Sequence, residues 1–290
     1  MRAALDWALS EDSVLGLELA ISLEQFWVAT SPHEGRQRFE ALLERAEPVP
    51  LELRARALRD LAGTTEVSGD IERTAVAYER SLEFFEHLAK KKGILRLLHR
   101  LANIARARGD FARTRNLGEE GLQRARSGGY RYEEFDFLSS LSHTESREGN
   151  IERALELQLS ALAIVREAGG WAWGEPQYLG TVAEYCCLLD RLDDATTYAR
   201  QSFRLSCGIG DRITATYAIA VLALVARRSG DDETAGRLWG AIEAEEERAF
   251  LGWWQTDREE YARRILTAKS ADFERGLAAG RQLTLEEAVT

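Results

Sequence analysis

The chain of 290 residues has little proline, cysteine and histidine. It contains 4 prolines, 3 cysteines and 4 histidines. Because proline breaks a helix interior, its scarcity leaves room for long helices throughout the chain. Cys186, Cys187 and Cys207 have neither the spacing of a metal site nor the even number of a disulfide framework. They predict reduced, mostly buried thiols in a cytoplasmic protein.

Long apolar runs and an excess of basic charge are also absent from the sequence. No run approaches the roughly 18 residues that a membrane span needs, and the N-terminus has no apolar signal core. The net charge of −10 argues against nucleic acid as a direct partner, because duplex binding depends on cations placed against phosphates. We therefore expect a cytoplasmic protein that binds neither membrane nor nucleic acid directly.

Sequence motifs of catalysis and cofactor binding are missing as well. There is no glycine-rich phosphate loop and no Gly-x-Ser-x-Gly nucleophile elbow. The histidines never occur at the paired spacings of zinc sites; they are His33, His87, His99 and His143. The sequence therefore predicts a protein without catalytic residues, metal or cofactor.

What the sequence does contain is a turn motif that recurs five times. The copies are 40, 40, 41 and 40 residues apart and begin at Gly69, Gly109, Gly149, Asp190 and Gly230. Such a period indicates one supersecondary unit that has been copied and stacked. Each copy is too small to bury its own apolar face and needs its neighbours.

Small residues occupy fixed positions around each turn. Seven residues before it stand Ala62, Ala102, Ser142, Ala183 and Ala223, and five residues after it stand Thr74, Thr114, Ala154, Ala195 and Ala235. Small side chains let two helices approach closely. Glycine ends a helix in the left-handed conformation, and the Asp or Asn that follows caps the next helix. Each unit is therefore predicted as helix A, a tight turn and helix B. A second break is expected between units, at Gly93, Gly128-Gly129, Gly169-Gly170 and Gly208-Ile209-Gly210.

This pattern resembles the tetratricopeptide repeat, with its small residue in helix A, its Gly-Asp/Asn turn and its alanine in helix B. The longer unit resembles the repeat region of bacterial signal-transduction ATPases and LuxR-type transcriptional regulators. That narrower resemblance rests on residues 2–9, on Gly210-Asp211-Arg212 and on parts of 235–288. It implies an all-α, right-handed superhelical solenoid of antiparallel helix pairs in TPR-like units of about 40 residues. It also implies a sensory or scaffolding role in signalling or transcription regulation.

We expect one domain over residues 1–290, because the core of a solenoid grows along an axis instead of around a centre. Residues 1–50 are predicted to form an N-terminal cap or degenerate repeat, 51–249 the five repeats, and 250–290 the C-terminal capping helices. Outside the repeats we expect helices over 14–30, 34–45 and 257–280, and a short last helix capped by Thr284.

Helix A lines the concave face of tetratricopeptide superhelices, so one stripe of each helix A is expected to face a groove. Counting back thirteen, ten and six residues from each turn gives the candidate binding residues Arg56, Arg59, Arg96, His99, Asn103, Asp136, Ser139, His143, Gln177, Glu184 and Tyr217. The stripe is cationic at its start and becomes apolar at Ala220 and Leu224, so a ligand with an anionic end would orient along it. A polar stripe that only faces solvent is the alternative interpretation.

Tryptophans are the other unusual feature of the chain. Trp171 and Trp173 stand between glycines and a proline, where they predict either an aromatic wall of a pocket or packing between units. Trp239 in helix B is predicted to lie in the core. Trp253 and Trp254 are predicted to anchor the terminal segment.

Three functions are consistent with these features. The leading hypothesis is a non-catalytic module that binds a peptide, a protein segment or a small effector in its groove. The second is an enzyme that uses the same cavity, with His143 and Glu184 as its acid–base pair. The third is a scaffold that self-associates through residues 251–290. The sequence leaves the ligand and the oligomeric state open.

Overall fold

The structure is a computed structural model, and it describes residues 2–45, 48–167, 169, 174–249, 251–252, 254–267 and 270–290. These residues form α-helices and no strand. The predicted all-α, TPR-like class of stacked helix pairs is confirmed. No helix in this described part of the chain combines the length and the apolar character that a membrane crossing requires.

In the described residues, four helices come first, five A/B pairs follow, and three helices come last. The first four are α1 (Arg2–Glu11), α2 (Ser13–Ser22), α3 (Glu24–Thr30) and α4 (Pro32–Arg45). Five A/B pairs follow: α5 (Leu51–Val67) with α6 (Ile71–His87), α7 (Lys91–Ala107) with α8 (Phe111–Gly128), α9 (Arg131–Arg147) with α10 (Ile151–Glu167), α11 (Glu175–Leu188) with α12 (Leu192–Ile209), and α13 (Arg212–Arg228) with α14 (Asp232–Arg248). The last three are α15 (Trp254–Ile265), α16 (Ala271–Gly280) and α17 (Leu285–Val289).

The chain divides into two compact units, Met1–Thr144 and Glu145–Thr290, with the boundary inside α9. The first unit contains α1 to α8 and most of α9. The second contains the end of α9 and α10 to α17. The single domain over residues 1–290 stays a prediction.

A residue in the left-handed backbone region ends a helix every 20 or 21 residues through the repeats. These residues are Gly69, Ala89, Gly109, Gly129, Gly149, Gly169, Asp190, Gly210 and Gly230. The predicted break at Gly93 is wrong, because Gly93 lies in the first turn of α7 and Ala89, with φ of 51°, takes the left-handed position. A Cβ at position 93 would lie 2.7 Å from the ring of Phe85, so any other residue there would force the ring to shift.

Replacing Ala89 by glycine tests the cost of that strained residue. A left-handed alanine costs about 1–2 kcal/mol, and the greater freedom of glycine in the unfolded chain offsets about 0.4–1 kcal/mol of this. We expect Ala89→Gly to raise the free energy of unfolding by about 0.5 kcal/mol in urea denaturation. Ala163→Gly, at an exposed position inside α10, is the control and should lower it by about 1 kcal/mol. Destabilisation by both variants to the same extent would contradict the assignment of strain to Ala89.

The small residues predicted to mediate helix packing are buried. All five residues of the column seven positions before the turn are fully buried, as are all five of the column five positions after it. Two serines add the same hydrogen bond in different repeats. Ser81 donates to the carbonyl of Ala55 and Ser202 to that of Pro176, each at 2.7 Å and across 26 residues. These bonds join helix B to helix A within one repeat.

The N-terminal region has more helices than expected. The single helix predicted over 14–30 is wrong, because Leu23 ends α2 with its N–H bonded to the carbonyl of Ala20 at 3.1 Å. The fully buried indole of Trp27 donates to the same carbonyl at 3.1 Å. The carbonyl of Ala20 thus bonds to this side chain and no longer continues the backbone hydrogen bonds of α2. Helix α1 had no counterpart among the predicted elements.

The C-terminal segment also breaks once more than predicted. The described residues between 257 and 280 belong to two helices, α15 and α16, and Ser270 caps α16 by accepting a bond from the N–H of Phe273 at 3.1 Å. Thr284 caps α17 in a full capping box with Glu287, as predicted. Trp239 and Trp254 are fully buried, which confirms the core position of the first.

Candidate functional site

Two arginines of the first unit occupy the same position in successive A helices and stay free. Arg56 in α5 and Arg96 in α7 are exposed, and neither makes a hydrogen bond or salt bridge with a described residue. Guanidinium groups bind carboxylate and phosphate with two parallel hydrogen bonds. These two side chains are therefore available to an anionic ligand.

Asp136 holds the third position of this series, in α9. It is half-buried and makes no hydrogen bond or ion pair with a described residue. Burial raises the pKa of Asp136 to about 6 and nearby Glu133 adds to the rise, whereas Arg100 and Arg96 lower it. A hydrogen-bond donor on a ligand would therefore stabilise the carboxylate of Asp136.

A buried ion pair lies one turn along from Arg56. The Nε of Arg59 is 2.6 Å from Oδ1 of Asp60, and Asp60 is 1 % exposed. The second oxygen of Asp60 has no hydrogen-bond partner among the described residues. Burial raises the pKa of Asp60 to about 6 even though Arg59 opposes the rise. Asp60 was not among the candidate residues.

His99 is neutral at physiological pH and is held in place. Burial lowers the pKa of His99 to about 4, with Arg100 and Arg106 contributing. Its Nε2 lies 3.2 Å from Nδ2 of Asn103, and its ring meets Phe137 edge-on at 5.9 Å. His99 and Asn103 thus form a preorganised polar pair. They are the two predicted residues of α7 that the structure brings together.

Charged and phenolic groups connect the A helices of this unit. The hydroxyl of Tyr78 donates to Oε2 of Glu66 at 2.9 Å, and Arg100 lies 3.8 Å from the same carboxylate. Burial raises the pKa of Tyr78. We call Arg56, Arg59, Arg96, His99, Asn103 and Asp136 the A-helix row. Ser139 is buried, and His143 is exposed at the end of α9.

Sequence reasoning missed Asp60 and Arg100 because it counted only three positions per helix. The position nine residues before the turn is polar in four of the five repeats, as Asp60, Arg100, Ser140 and Thr181. This recurring polar position is the sequence feature that indicates Asp60 and Arg100. It widens the predicted stripe on each helix A by one position.

In the second unit, two predicted site residues contact each other beneath α15. Tyr217 donates a hydrogen bond to Glu184, and the ring of Tyr261 in α15 meets Tyr217 edge-on at 5.6 Å. Arg264 of α15 lies 3.8 Å from Glu184, whose pKa is raised by burial. Gln177 is exposed. The partners seen for Glu184 and Tyr217 are thus internal, and their contact with a ligand stays a prediction.

Several expected features fall outside what the structure describes. Trp171 and Trp173 lie outside the described residues, as does Trp253. His143 belongs to the first unit and Glu184 to the second, so their pairing stays a prediction. Cys186 and Cys187 are buried and Cys207 is half-buried, all three as free thiols. Among the described residues no group of three or more His, Cys, Asp or Glu side chains is placed to hold a metal ion.

The fold resembles several solved helical-repeat proteins, whereas no family model and no curated protein matches the chain. A signal-transduction ATPase with numerous domains and a tetratricopeptide-repeat sensor, from Pyrococcus horikoshii, is 14% identical with a TM-score of 0.75. The match covers 91% of this chain and 41% of that protein. This chain therefore spans less than half of the ATPase.

Two further neighbours match over most of both chains. Aspartyl phosphate phosphatase F from Bacillus subtilis is 14% identical with a TM-score of 0.70, over 97% of this chain and 73% of that one. A Rap protein complexed with competence and sporulation factor is 15% identical with a TM-score of 0.67, over 98% and 80%. At these identities the likeness shows the fold, which is TPR-like.

Proposed function

We propose that this chain is a non-catalytic binding module that holds a peptide or protein segment along the A-helix row, in a regulatory role in bacterial signalling. Two observations support this proposal: the free guanidinium groups of Arg56 and Arg96 are equivalent in successive repeats, and the unbonded carboxylate of Asp136 lies near Arg96. Positive and negative side chains together suit a peptide, whose acidic side chains would bind the arginines and whose backbone N–H groups would donate to the carboxylate.

The length of the row favours a chain-like ligand over a small molecule. Packed helices lie about 8–10 Å apart, so three successive A helices span about 20 Å. An extended peptide rises about 3.3 Å per residue and would cover this distance with about six residues. Each free side chain of the row then meets a different part of the ligand.

The comparisons support the regulatory part of the proposal. One protein of similar fold is a signal-transduction ATPase whose repeat region is a sensor, and another is a Rap protein complexed with competence and sporulation factor. A protein of similar fold is thus known in complex with such a factor. The acidic character that we propose for the bound segment rests on the free arginines of the row.

The proposal predicts selective binding of acidic peptides. Fluorescently labelled hexapeptide pools, one acidic, one basic and one neutral, are titrated with the chain and followed by fluorescence anisotropy. We expect the acidic pool to bind. The double variant Arg56→Glu/Arg96→Glu should weaken that binding roughly 100-fold, since two charged hydrogen bonds contribute about 1.5 kcal/mol each.

The matched control is Arg73→Glu/Arg153→Glu, which makes the same change of charge at two exposed helix B positions. This control should bind the acidic pool like the unchanged chain. Equal loss in both double variants would mean that net charge alone attracts the peptides, and the proposal would be wrong. Absence of any preference for the acidic pool would refute it as well.

A further inference from the structure

A second surface, which shares no residue with the A-helix row, forms an open groove in the first unit. The groove has a volume of about 500 Å³. Leu43 of α4, Leu58 and Leu61 of α5, and Phe84 of α6 form its apolar part. Its charged residues are Glu40, Glu44, Arg54, Arg80 and Glu83. The groove therefore lies between α4 and α6, with α5 beneath.

The neighbouring pair of B helices shows how such a gap is closed elsewhere. Between α6 and α8, Glu79 lies 2.5 Å from Arg113 and Glu86 lies 2.6 Å from Arg124. Arg108, just before α8, adds a third bridge to Glu72 at 2.8 Å. One side of α6 thus supplies carboxylates, and the following repeat supplies the matching guanidinium groups.

The groove is lined by carboxylates without such partners among the described residues, and one of them, Glu83, is a helical neighbour of the bridged Glu79 and Glu86 on α6. Glu83 of α6 and Glu40 and Glu44 of α4 make no salt bridge or hydrogen bond with a described residue. Arg54 takes part in a contact of its own, which leaves Arg80 as the one lining cation without a described partner. Three carboxylates and one guanidinium group without described partners thus line the groove, so its unpaired charge is negative overall and attracts a cationic partner.

We propose that this groove is a docking site for an amphipathic helix of a partner protein, a helix with an apolar face and Lys or Arg along its edges. The half-buried side chains of Leu43, Leu61 and Phe84 receive the apolar face, as in helix-in-groove recognition, above the buried Leu58. The Lys or Arg residues of the partner supply to the groove carboxylates the cations that α8 supplies to Glu79 and Glu86. The groove and the A-helix row then bind different partners on one unit.

The test uses a designed amphipathic peptide of 14 residues, with leucine on one face of the helix and lysine on the other. A second peptide has glutamate in place of lysine. Both bear a fluorophore, and the lysine peptide also bears a photo-crosslinker on its apolar face. Anisotropy against the full chain measures affinity, and mass spectrometry maps the crosslinks. We expect the lysine peptide to bind, the glutamate peptide to fail, and the crosslinks to fall on α4, α5 and α6.

A pair of triple variants separates docking from general attraction to an acidic protein. Glu40→Gln/Glu44→Gln/Glu83→Gln should weaken binding at least tenfold. Glu18→Gln/Glu119→Gln/Glu247→Gln removes three other exposed carboxylates that lack described partners and should leave the affinity within twofold. Equal effects of the two variants, or crosslinks outside the groove, overturn the proposal. Self-association that the first variant abolishes would assign the groove to a second copy of the chain and also overturn it.

Discussion

Gly276→Ala is expected to lower the thermal midpoint of the second unit sharply. Gly276 and Gly280 of α16 face Gly236 and Gly240 of α14 so closely that a Cβ at Gly276 would lie 2.0 Å from the carbonyl oxygen of Glu233. The obstacle is backbone, so no side chain can move aside. Overpacking of this kind costs about 1–3 kcal/mol or more, whereas the better helix propensity of alanine returns only about 1 kcal/mol.

Gly276→Ala would also disturb the apolar contacts of α16. Phe273 and Leu277 are buried, and helices forced apart by the new methyl group would expose part of both. We therefore expect a net loss of about 2 kcal/mol or more in the free energy of unfolding, with faster hydrogen exchange in α16. Denaturation monitored by circular dichroism and by hydrogen exchange measures the two effects.

Gly208→Ala is the matched control for this prediction. Gly208 also lies in a helix, α12, but a Cβ there would meet no atom within 4 Å. The substitution should raise the free energy of unfolding by about 0.5 kcal/mol through helix propensity alone. If Gly276→Ala proved as harmless as Gly208→Ala, the close packing of α14 on α16 would be refuted.

Gln158→Leu is expected to stabilise the chain by about 2 kcal/mol. The side chain of Gln158 in α10 is fully buried, and neither its amide nitrogen nor its carbonyl oxygen has a hydrogen-bond partner among the described residues. A buried amide without a partner costs about 1–3 kcal/mol in proteins. Leucine is similar in size and carries no polar atom, so it removes this cost without leaving a large cavity.

Urea denaturation of Gln158→Leu and of Gln123→Leu measures the contribution of burial. Gln123 is exposed in α8, so its replacement should change the free energy of unfolding by less than about 0.5 kcal/mol. A lower stability for Gln158→Leu would mean that the amide is bonded, for example to an ordered water, and would contradict the prediction.

The repeat architecture followed from local patterns in the sequence. Gly69, Gly109, Gly149 and Gly230 all adopt the left-handed conformation predicted for them, and Asp190 adopts it in the fourth repeat with φ of 61°. Predictions failed where a local pattern had two explanations. Gly93 was interpreted as a helix end, but it is a close contact with Phe85, and sequence alone does not distinguish these two uses of glycine.

The sequence predicted where the candidate site residues lie, but not which of them lack a bonding partner. Counting from the turn located Arg56, Arg96 and Asp136 on equivalent turns of successive A helices. It did not reveal that these three lack partners while Arg108 and Arg113 have them. Pairing depends on acidic residues about 35 positions away in another repeat, and their distance is set by how repeats stack.

The sequence by itself determined the helix pairs of this protein, the small side chains between them and, except at Ala89, the residues that end the helices of the repeats. All of these depend on neighbours within about two helical turns or on a period of 40 residues. Tertiary structure alone decided three other features: the approach of α14 and α16, the cover of α15 over Glu184 and the open groove beside Glu83. Each results from surfaces distant in sequence, where packing and charge pairing decide which groups are buried and which remain free.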